Sequence, residues 1–182
     1  IGNSIMNYEM SNNFNYEMNK LTIITITLIF LVVLFTFKSL IIPFILVLLI
    51  QCAVYILMGI INILDMKVYY LSLLIVQSIL MGATIDYAIL FTNYYRELRK
   101  ENSIRISLKE TYNKSIHTIL TSSLIMIIIT GILGFIFKDP AIGEICHIIA
   151  IGVTIAVILI LFVLPSIIVL FDKKIVNNKI KS

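Results

Sequence analysis

Five long runs of apolar residues constrain this chain more than any other feature of its sequence. They cover residues 21–37, 41–64, 68–95, 116–137 and 146–171, and polar segments separate them. A helix needs about 20 mostly apolar residues to cross the hydrocarbon core of a bilayer. In lipid, only helices and closed barrels satisfy all of their own backbone polar groups. The runs therefore predict an all-α, polytopic membrane protein with a bundle of five transmembrane helices.

Composition supports a membrane protein and argues against a soluble one. The chain is 60% hydrophobic and 13% charged, with a mean hydropathy of +1.05, whereas soluble domains are roughly 45–50% apolar and about 25% charged. Cys52 and Cys146 have neither CxxC nor histidine spacing, so they predict no disulfide framework and no zinc site. The net charge of +4 does not indicate a nucleic-acid partner, because the membrane topology explains the positions of the basic residues.

Basic residues divide unequally between the two sides of the predicted bundle. The segments after the first, third and fifth runs hold eleven: Lys38, Arg96, Arg99, Lys100, Arg105, Lys109, Lys114, Lys173, Lys174, Lys179 and Lys181. The other side holds three: Lys20, Lys67 and Lys138. Cytoplasmic loops are enriched in Lys and Arg. We therefore expect an outside N-terminus, a cytoplasmic connector at 96–115 and a cytoplasmic tail at 172–182.

The polar segment 1–20 precedes the first run, and we interpret it as an extracytoplasmic stub ahead of a membrane domain at 21–182. The first residue is Ile, and no secretory signal peptide can be recognised. An outside N-terminus without a signal peptide predicts a membrane segment further upstream. We therefore expect the chain to be part of a longer protein, although a small standalone membrane module remains an alternative.

Asp86 is the only charged residue inside the five apolar runs. Placing a charge at the centre of a membrane helix costs about 2.5–3.5 kcal/mol on insertion scales, so such a residue indicates a functional site. Ser78, Gly82 and Asp86 lie four residues apart, and Asn93 continues the same face. The small residues Ser78 and Gly82 favour close helix packing. This stripe predicts that Asp86 faces a neighbouring helix rather than lipid.

Three roles are open for Asp86 on this evidence: proton transfer, a structural hydrogen bond, or binding of a cation or substrate. Burial disfavours the charged carboxylate, which suits a group that takes up and releases protons. Tyr87, on an adjacent face, either bonds a carboxylate of another helix or packs. The polar side chains of the fourth run that are candidate partners of Asp86 are Thr121, Ser122 and Ser123. His117 and His147, near the ends of runs, are interpreted as interfacial.

The residues from Gly82 to Asp86 and Tyr87, followed by Phe91 and by Tyr-Arg-Glu at 95–97, resemble the GxxxDY…F…RxRE-type signature of the MMPL branch of the RND superfamily of exporters. The segments KSLIIP, TILTSSLIMIIITGILGF and VLPSIIVLFD also resemble that family's membrane half. The resemblance extends over residues 21–172.

This resemblance implies two similar halves, each with one helix, a porter domain outside the membrane and five further helices. The chain then corresponds to the last five helices, and residues 1–20 to the end of a porter domain. Asp86 and Tyr87 would form one of two Asp-Tyr pairs that carry protons inward while lipids or other hydrophobic compounds are exported. The implied partners are the N-terminal half and porter domains of the same polypeptide, the bilayer of the cell (cytoplasmic) membrane, a hydrophobic substrate and, as an option, a second copy in a homo-oligomer. The coupling ion would be the proton, and no other cofactor is expected.

Two other membrane functions remain as alternatives. One is a translocation auxiliary of the SecDF type, which shares the fold but usually lacks the Asp-Tyr pair. The other is a non-transporting sensor or scaffold of the sterol-sensing type, which would not need a titrating Asp86. An enzyme is not expected, because the sequence has no HExxH, GxSxG or phosphate-binding loop; we predict no catalytic residue and no metal ligand.

Overall fold

A computed structural model describes residues 2–37, 39–64, 68, 70–137 and 139–172. Side chains are described at 16, 19–37, 39–64, 68, 72–137, 139 and 141–172. The helices are α1 (Gly2–Phe37), α2 (Ile41–Ile63), α3 (Tyr70–Leu98), α4 (Ile104–Ile136), α5 (Pro140–Ile158) and α6 (Leu164–Leu170), with a π-helical turn, Leu159–Val163, joining α5 to α6. The described residues contain no strand.

Five of the helical segments are long and apolar enough to cross a membrane. They are Asn19–Phe37, Ile41–Ile63, Ser72–Leu98, Ile104–Ile136 and Ala141–Leu170, and the last of these combines α5, the π-helical turn and α6. The prediction of an all-α, five-helix membrane bundle is therefore confirmed for the described part of the chain.

α2, α3 and the fifth span form the centre of the bundle, whereas α1 and α4 lie at its edge. In the most apolar part of α2, 44% of residues are buried, against 11% in α1 and in α4. The fifth span packs on α2, α3 and α4. Gly152 of α5 permits this close packing, since a β-carbon there would lie 3.0 Å from Leu57 and 3.1 Å from Leu80. Helix association in lipid depends on such close contacts.

The helix boundaries differ from the prediction on both sides of the connector. Most of the segment 96–115 is helix, because α3 continues to Leu98 and α4 begins at Ile104. Ser107, Thr111 and Ser115 lie one turn apart on α4 and are fully buried. The Thr111 and Ser115 hydroxyls donate to the carbonyls one turn earlier, at 2.7 Å. Their small size allows close packing, which stabilises a helix that hydropathy alone does not mark.

The other differences concern the ends of the chain. α1 begins at Gly2, so residues 2–20 of the predicted stub belong to the same helix as the first span. α5 begins at Pro140, six residues before the predicted start of the fifth run at residue 146, and the Asp139 carboxylate accepts from the Ala141 N–H at 3.0 Å. The predicted turn at 65–67, Lys38, Lys138 and the tail after Asp172 lie outside the described residues.

Candidate functional site

Asp86 lies in the middle of the third span. That span runs from Ser72 to Leu98, and Asp86 is next to the residue at its midpoint. The Asp86 side chain is exposed on the surface of the bundle, and it forms no hydrogen bond with the described residues. At the centre of a bilayer, a charged side chain needs a partner or water.

The stripe predicted around Asp86 lies on one outward face of α3. Ser78 is half-buried, and its hydroxyl donates to the Leu74 carbonyl at 3.0 Å. Gly82 and Asn93 are exposed, and a β-carbon at Gly82 would have no described atom within 4 Å. Within the described residues, no helix covers this face. Any helix that packs against the stripe must therefore come from outside the described bundle.

The opposite face of α3 is buried in the bundle. Leu80, Thr84, Ala88 and Phe91 are fully or almost fully buried there. The Thr84 hydroxyl donates to the Leu80 carbonyl at 2.7 Å, so a polar group on this face is satisfied within its own helix. Tyr87 is half-buried and packs against the edge of the apolar core. α3 thus has one apolar, packed face and one open face that carries the carboxylate.

The three polar residues of α4 that were predicted to face Asp86 occupy different positions. Thr121 and Ser122 are exposed, whereas Ser123 is buried and donates to the Leu120 carbonyl at 3.1 Å. Among the described residues, none of the three forms a hydrogen bond with Asp86. Their part in a proton relay, like that of Asp86 and Tyr87, stays a prediction.

His147 belongs to the crossing of α4 and α5. Its Nδ1 lies 2.8 Å from the Gly143 carbonyl oxygen, and its ring packs edge-on to Phe135 with centroids 4.7 Å apart. A β-carbon on Gly134 would overlap the imidazole. His117 is exposed. In the described ranges, no group of three His, Cys, Asp or Glu side chains is placed to hold a metal ion.

Three polar side chains join the end of α3 to the end of the fifth span. No sequence pattern predicted this contact. The Tyr95 hydroxyl donates to Asp172 Oδ1 at 2.7 Å. Arg99 Nε donates to Oδ1 at 3.1 Å and Arg99 Nη2 to Oδ2 at 3.1 Å, a two-pronged ion pair. Tyr95 is fully buried and Asp172 is 5% exposed. We call Tyr95, Arg99 and Asp172 the Asp172 cluster.

The Asp172 cluster stabilises the charged form of its arginine. The hydrogen bond and the negative charge of Asp172 raise the pKa of Arg99, although its partial desolvation acts in the opposite direction. The only sequence signal for the cluster is the one-turn spacing of Tyr95 and Arg99 at the end of an apolar run. Their partner lies more than 70 residues away along the chain, which is why pattern reasoning does not find it.

Arg96 joins the same end of α3 to α1. Its Nη1 donates to the Phe37 carbonyl at 3.1 Å, and its guanidinium carbon lies 5.4 Å from the centroid of the Phe37 ring. Phe37 is the last residue of α1. A cation at a helix C-terminus satisfies a free carbonyl and complements the helix dipole. One end of α3 therefore holds both the first and the fifth span in place.

Five apolar helices, with a carboxylate halfway along the third, define a multi-pass helical membrane protein with an ionisable group at membrane depth. The sequence profile of the MMPL family matches residues 1–181, and the chain belongs to that family. This membership supports an RND/MMPL-type membrane transporter. No match to the chain was found among curated proteins or among solved structures.

Proposed function

We propose that this chain is the membrane half of a proton-motive-force-driven exporter of lipids or other hydrophobic compounds, and that Asp86 and Tyr87 belong to its proton relay. The observation that carries the proposal is the position of Asp86. Its carboxylate lies at the middle of a membrane-spanning helix and on a face that no described helix covers.

The chemistry of a carboxylate at this depth favours proton exchange. The ionised form is costly in hydrocarbon, whereas the neutral acid is tolerated much better. A proton that binds to Asp86 therefore lowers the cost of placing this part of α3 in an apolar environment, whereas loss of the proton favours a polar or hydrated one. Such a change in preference is what couples proton movement to a change in protein conformation. Tyr87, the next residue, has a hydroxyl that can bond a carboxylate on a partner helix.

The open face of α3 has the shape expected for contact with a second membrane half. Gly82 leaves free space one turn from Asp86, and Ile75 and Ile79 extend the same face with partly exposed apolar side chains. Small residues flanked by branched apolar ones are typical of close helix packing in lipid. We infer that the second half supplies the groups that face Asp86, as the family's paired Asp-Tyr centre implies.

The remaining parts of the proposal concern orientation and location. The distribution of basic residues favours a cytoplasmic C-terminus, so protons would pass Asp86 on their way inward. The family architecture supports the cell membrane as the location and the porter domains as the parts that bind substrate. This division of labour assigns proton transfer, and not substrate choice, to the described helices.

Export by the full-length protein with Asp86→Asn tests the proposal. Asparagine keeps the size of the side chain but cannot release a proton, so proton-driven export should be lost while membrane insertion and protein amount stay normal. Asp139→Asn is the matched control, because it makes the same chemical change outside the third span and asparagine caps a helix as well as aspartate. Normal export by the Asp86 variant would refute the relay and would favour a non-transporting sensor or scaffold.

A further inference from the structure

The fifth span changes its helical register near its C-terminal end. α5 ends at Ile158, the π-helical turn occupies Leu159–Val163, and α6 begins at Leu164, one residue before Pro165. The Leu164 N–H bonds the carbonyl of Leu159, five residues earlier, which is the spacing of a π-helix. Helices bend at prolines and at π turns. The fifth span can therefore bend between residues 159 and 165, and we call these residues the hinge.

Tyr112 of α4 holds this hinge from the side. Pro165 has no N–H, and in an α-helix that N–H would bond the carbonyl of Leu161. The Tyr112 hydroxyl donates a hydrogen bond to that same carbonyl. The Tyr112 ring packs edge-on against Phe91 of α3, with centroids 5.3 Å apart. One side chain thus connects the hinge to both α4 and α3.

Beyond the hinge, residues 166–172 form a segment whose end contacts residues at the end of α3. We call it the terminal segment. Its Ile168 is buried against the core, and Asp172 at its end belongs to the Asp172 cluster. On its other side, an open groove of about 510 Å³ lies between the segment and α4. Leu108 and Tyr112 line this groove from α4.

We propose that Tyr95, Arg99 and Asp172 are positioning residues that make the terminal segment move as one body with α3, and that the π-helical turn with Pro165 is the hinge of this movement. The Tyr112 hydroxyl holds the hinge in its resting position. The proposal deepens the proposed function and rests on it for its role in transport, because α3 is the helix that carries Asp86.

The physical argument compares the two ends of the terminal segment. At the Asp172 end, hydrogen bonds donated by Tyr95 of α3 and by the charged Arg99, which directly follows α3, resist separation. At the other end, the chain lacks the N–H of Pro165 and already departs from α-helical spacing, so bending there breaks fewer backbone hydrogen bonds than in a regular α-helix. A shift of α3 that follows proton exchange at Asp86 is therefore passed to the terminal segment and absorbed at the hinge.

Distances between spin labels in the full-length protein test the two ends separately. The native thiols are first removed as Cys52→Ser and Cys146→Ser. One label pair, at Lys100 and Leu170, reports on the Asp172 end, and a second pair, at Ile158 and Leu170, spans the hinge. All three label sites are exposed. We expect a narrow distance distribution for each pair in the otherwise unchanged protein.

Three variants then decide the proposal. Asp172→Asn should broaden the distribution of the Lys100–Leu170 pair, and Tyr112→Phe should broaden only the Ile158–Leu170 pair. Tyr94→Phe, which removes a neighbouring hydroxyl that forms no hydrogen bond with the described residues, should change neither. An unchanged Lys100–Leu170 distribution in Asp172→Asn would overturn the fastening, and an unchanged Ile158–Leu170 distribution in Tyr112→Phe would overturn the hinge.

Export measurements separate a positioning role from a purely structural one. Asp172→Asn should slow export at an equal amount of folded protein, and Asp172→Glu, which keeps the charge, should restore most of it. Normal export by a variant whose terminal segment has come loose would overturn the positioning role. Failure of the proton relay can be distinguished from failure of this proposal. The relay fails if Asp86→Asn exports normally, whereas the label distances test the fastening and the hinge independently of export.

Discussion

The Tyr95 hydroxyl donates a 2.7 Å hydrogen bond to the carboxylate of Asp172, which follows it by 77 residues in the sequence. This bond joins the end of the helix that carries Asp86 to the end of the fifth span. Arg99 binds the same carboxylate. Any movement of the third span relative to the fifth would therefore have to break this contact.

Removing the Asp172 carboxylate should destabilise the bundle. Hydrogen bonds to charged groups contribute about 1.5–3 kcal/mol, and Asp172→Ala leaves both Arg99 and the buried Tyr95 hydroxyl without this partner. For the loss of the Arg99 hydrogen bonds we expect a cost in the lower half of that range, because the Arg99 side chain is 26% exposed and water screens part of the interaction. Thermal unfolding of the purified protein in detergent measures the effect. Glu97→Ala, at an exposed position on the same helix, is the control, and equal midpoints for the two variants would contradict the prediction.

Two glycines of α4 should respond differently to the same substitution. Gly134→Ala would place a β-carbon on the His147 ring, whereas a β-carbon at Gly131 would have no described atom within 4 Å. Overpacking costs about 1–3 kcal/mol, while alanine at an open helical site adds up to about 1 kcal/mol of stability. Gly134→Ala should therefore lower the unfolding midpoint and Gly131→Ala should not. The reverse order of midpoints would show that α4 and α5 do not cross as described.

The contribution of the Tyr112 hydroxyl to stability should depend on Pro165. Tyr112→Phe keeps the ring contact with Phe91 but removes the donor to the Leu161 carbonyl, at an expected cost of about 0.5–1.5 kcal/mol. Pro165→Ala restores an N–H that can bond that carbonyl in an α-helical register. A double-mutant cycle on unfolding midpoints should therefore give a smaller cost for Tyr112→Phe in the alanine background. Strict additivity would contradict the link between the two residues.

A large residue at Gly82 should block contact with the second membrane half. A β-carbon at Gly82 would have no described atom within 4 Å, and the residue lies on the exposed face of α3, so with Gly82→Leu the five helices should fold normally. In the full-length protein, leucine would occupy the space that we assign to a partner helix, and export should fall strongly. Gly59→Leu is matched to it, since Gly59 is also exposed on a spanning helix with open space above it. An equal loss of export in both variants would argue against a specific contact at Gly82.

The sequence predicts those parts of the fold that depend on lipid. Apolar runs of spanning length give the five helices, and the cost of a charge in hydrocarbon singles out Asp86. It does not predict that the fourth span continues back without a break to Ile104, because Ser107 and Thr111 look polar but are buried by close packing. The partnership of Tyr95 with Asp172 is equally hidden, since a contact between distant residues depends on how the helices are arranged. The open face around Asp86 also emerges only from the structure.

The central claim is that Asp86 exchanges a proton during transport. The most direct test is proton uptake by liposomes that contain the purified full-length protein, followed with an internal pH-sensitive dye while a proton gradient is applied. The account predicts that Asp86→Asn abolishes protein-dependent uptake, whereas Asp139→Asn leaves it at the level of the unmodified protein. Uptake by Asp86→Asn at the unmodified rate would contradict the account.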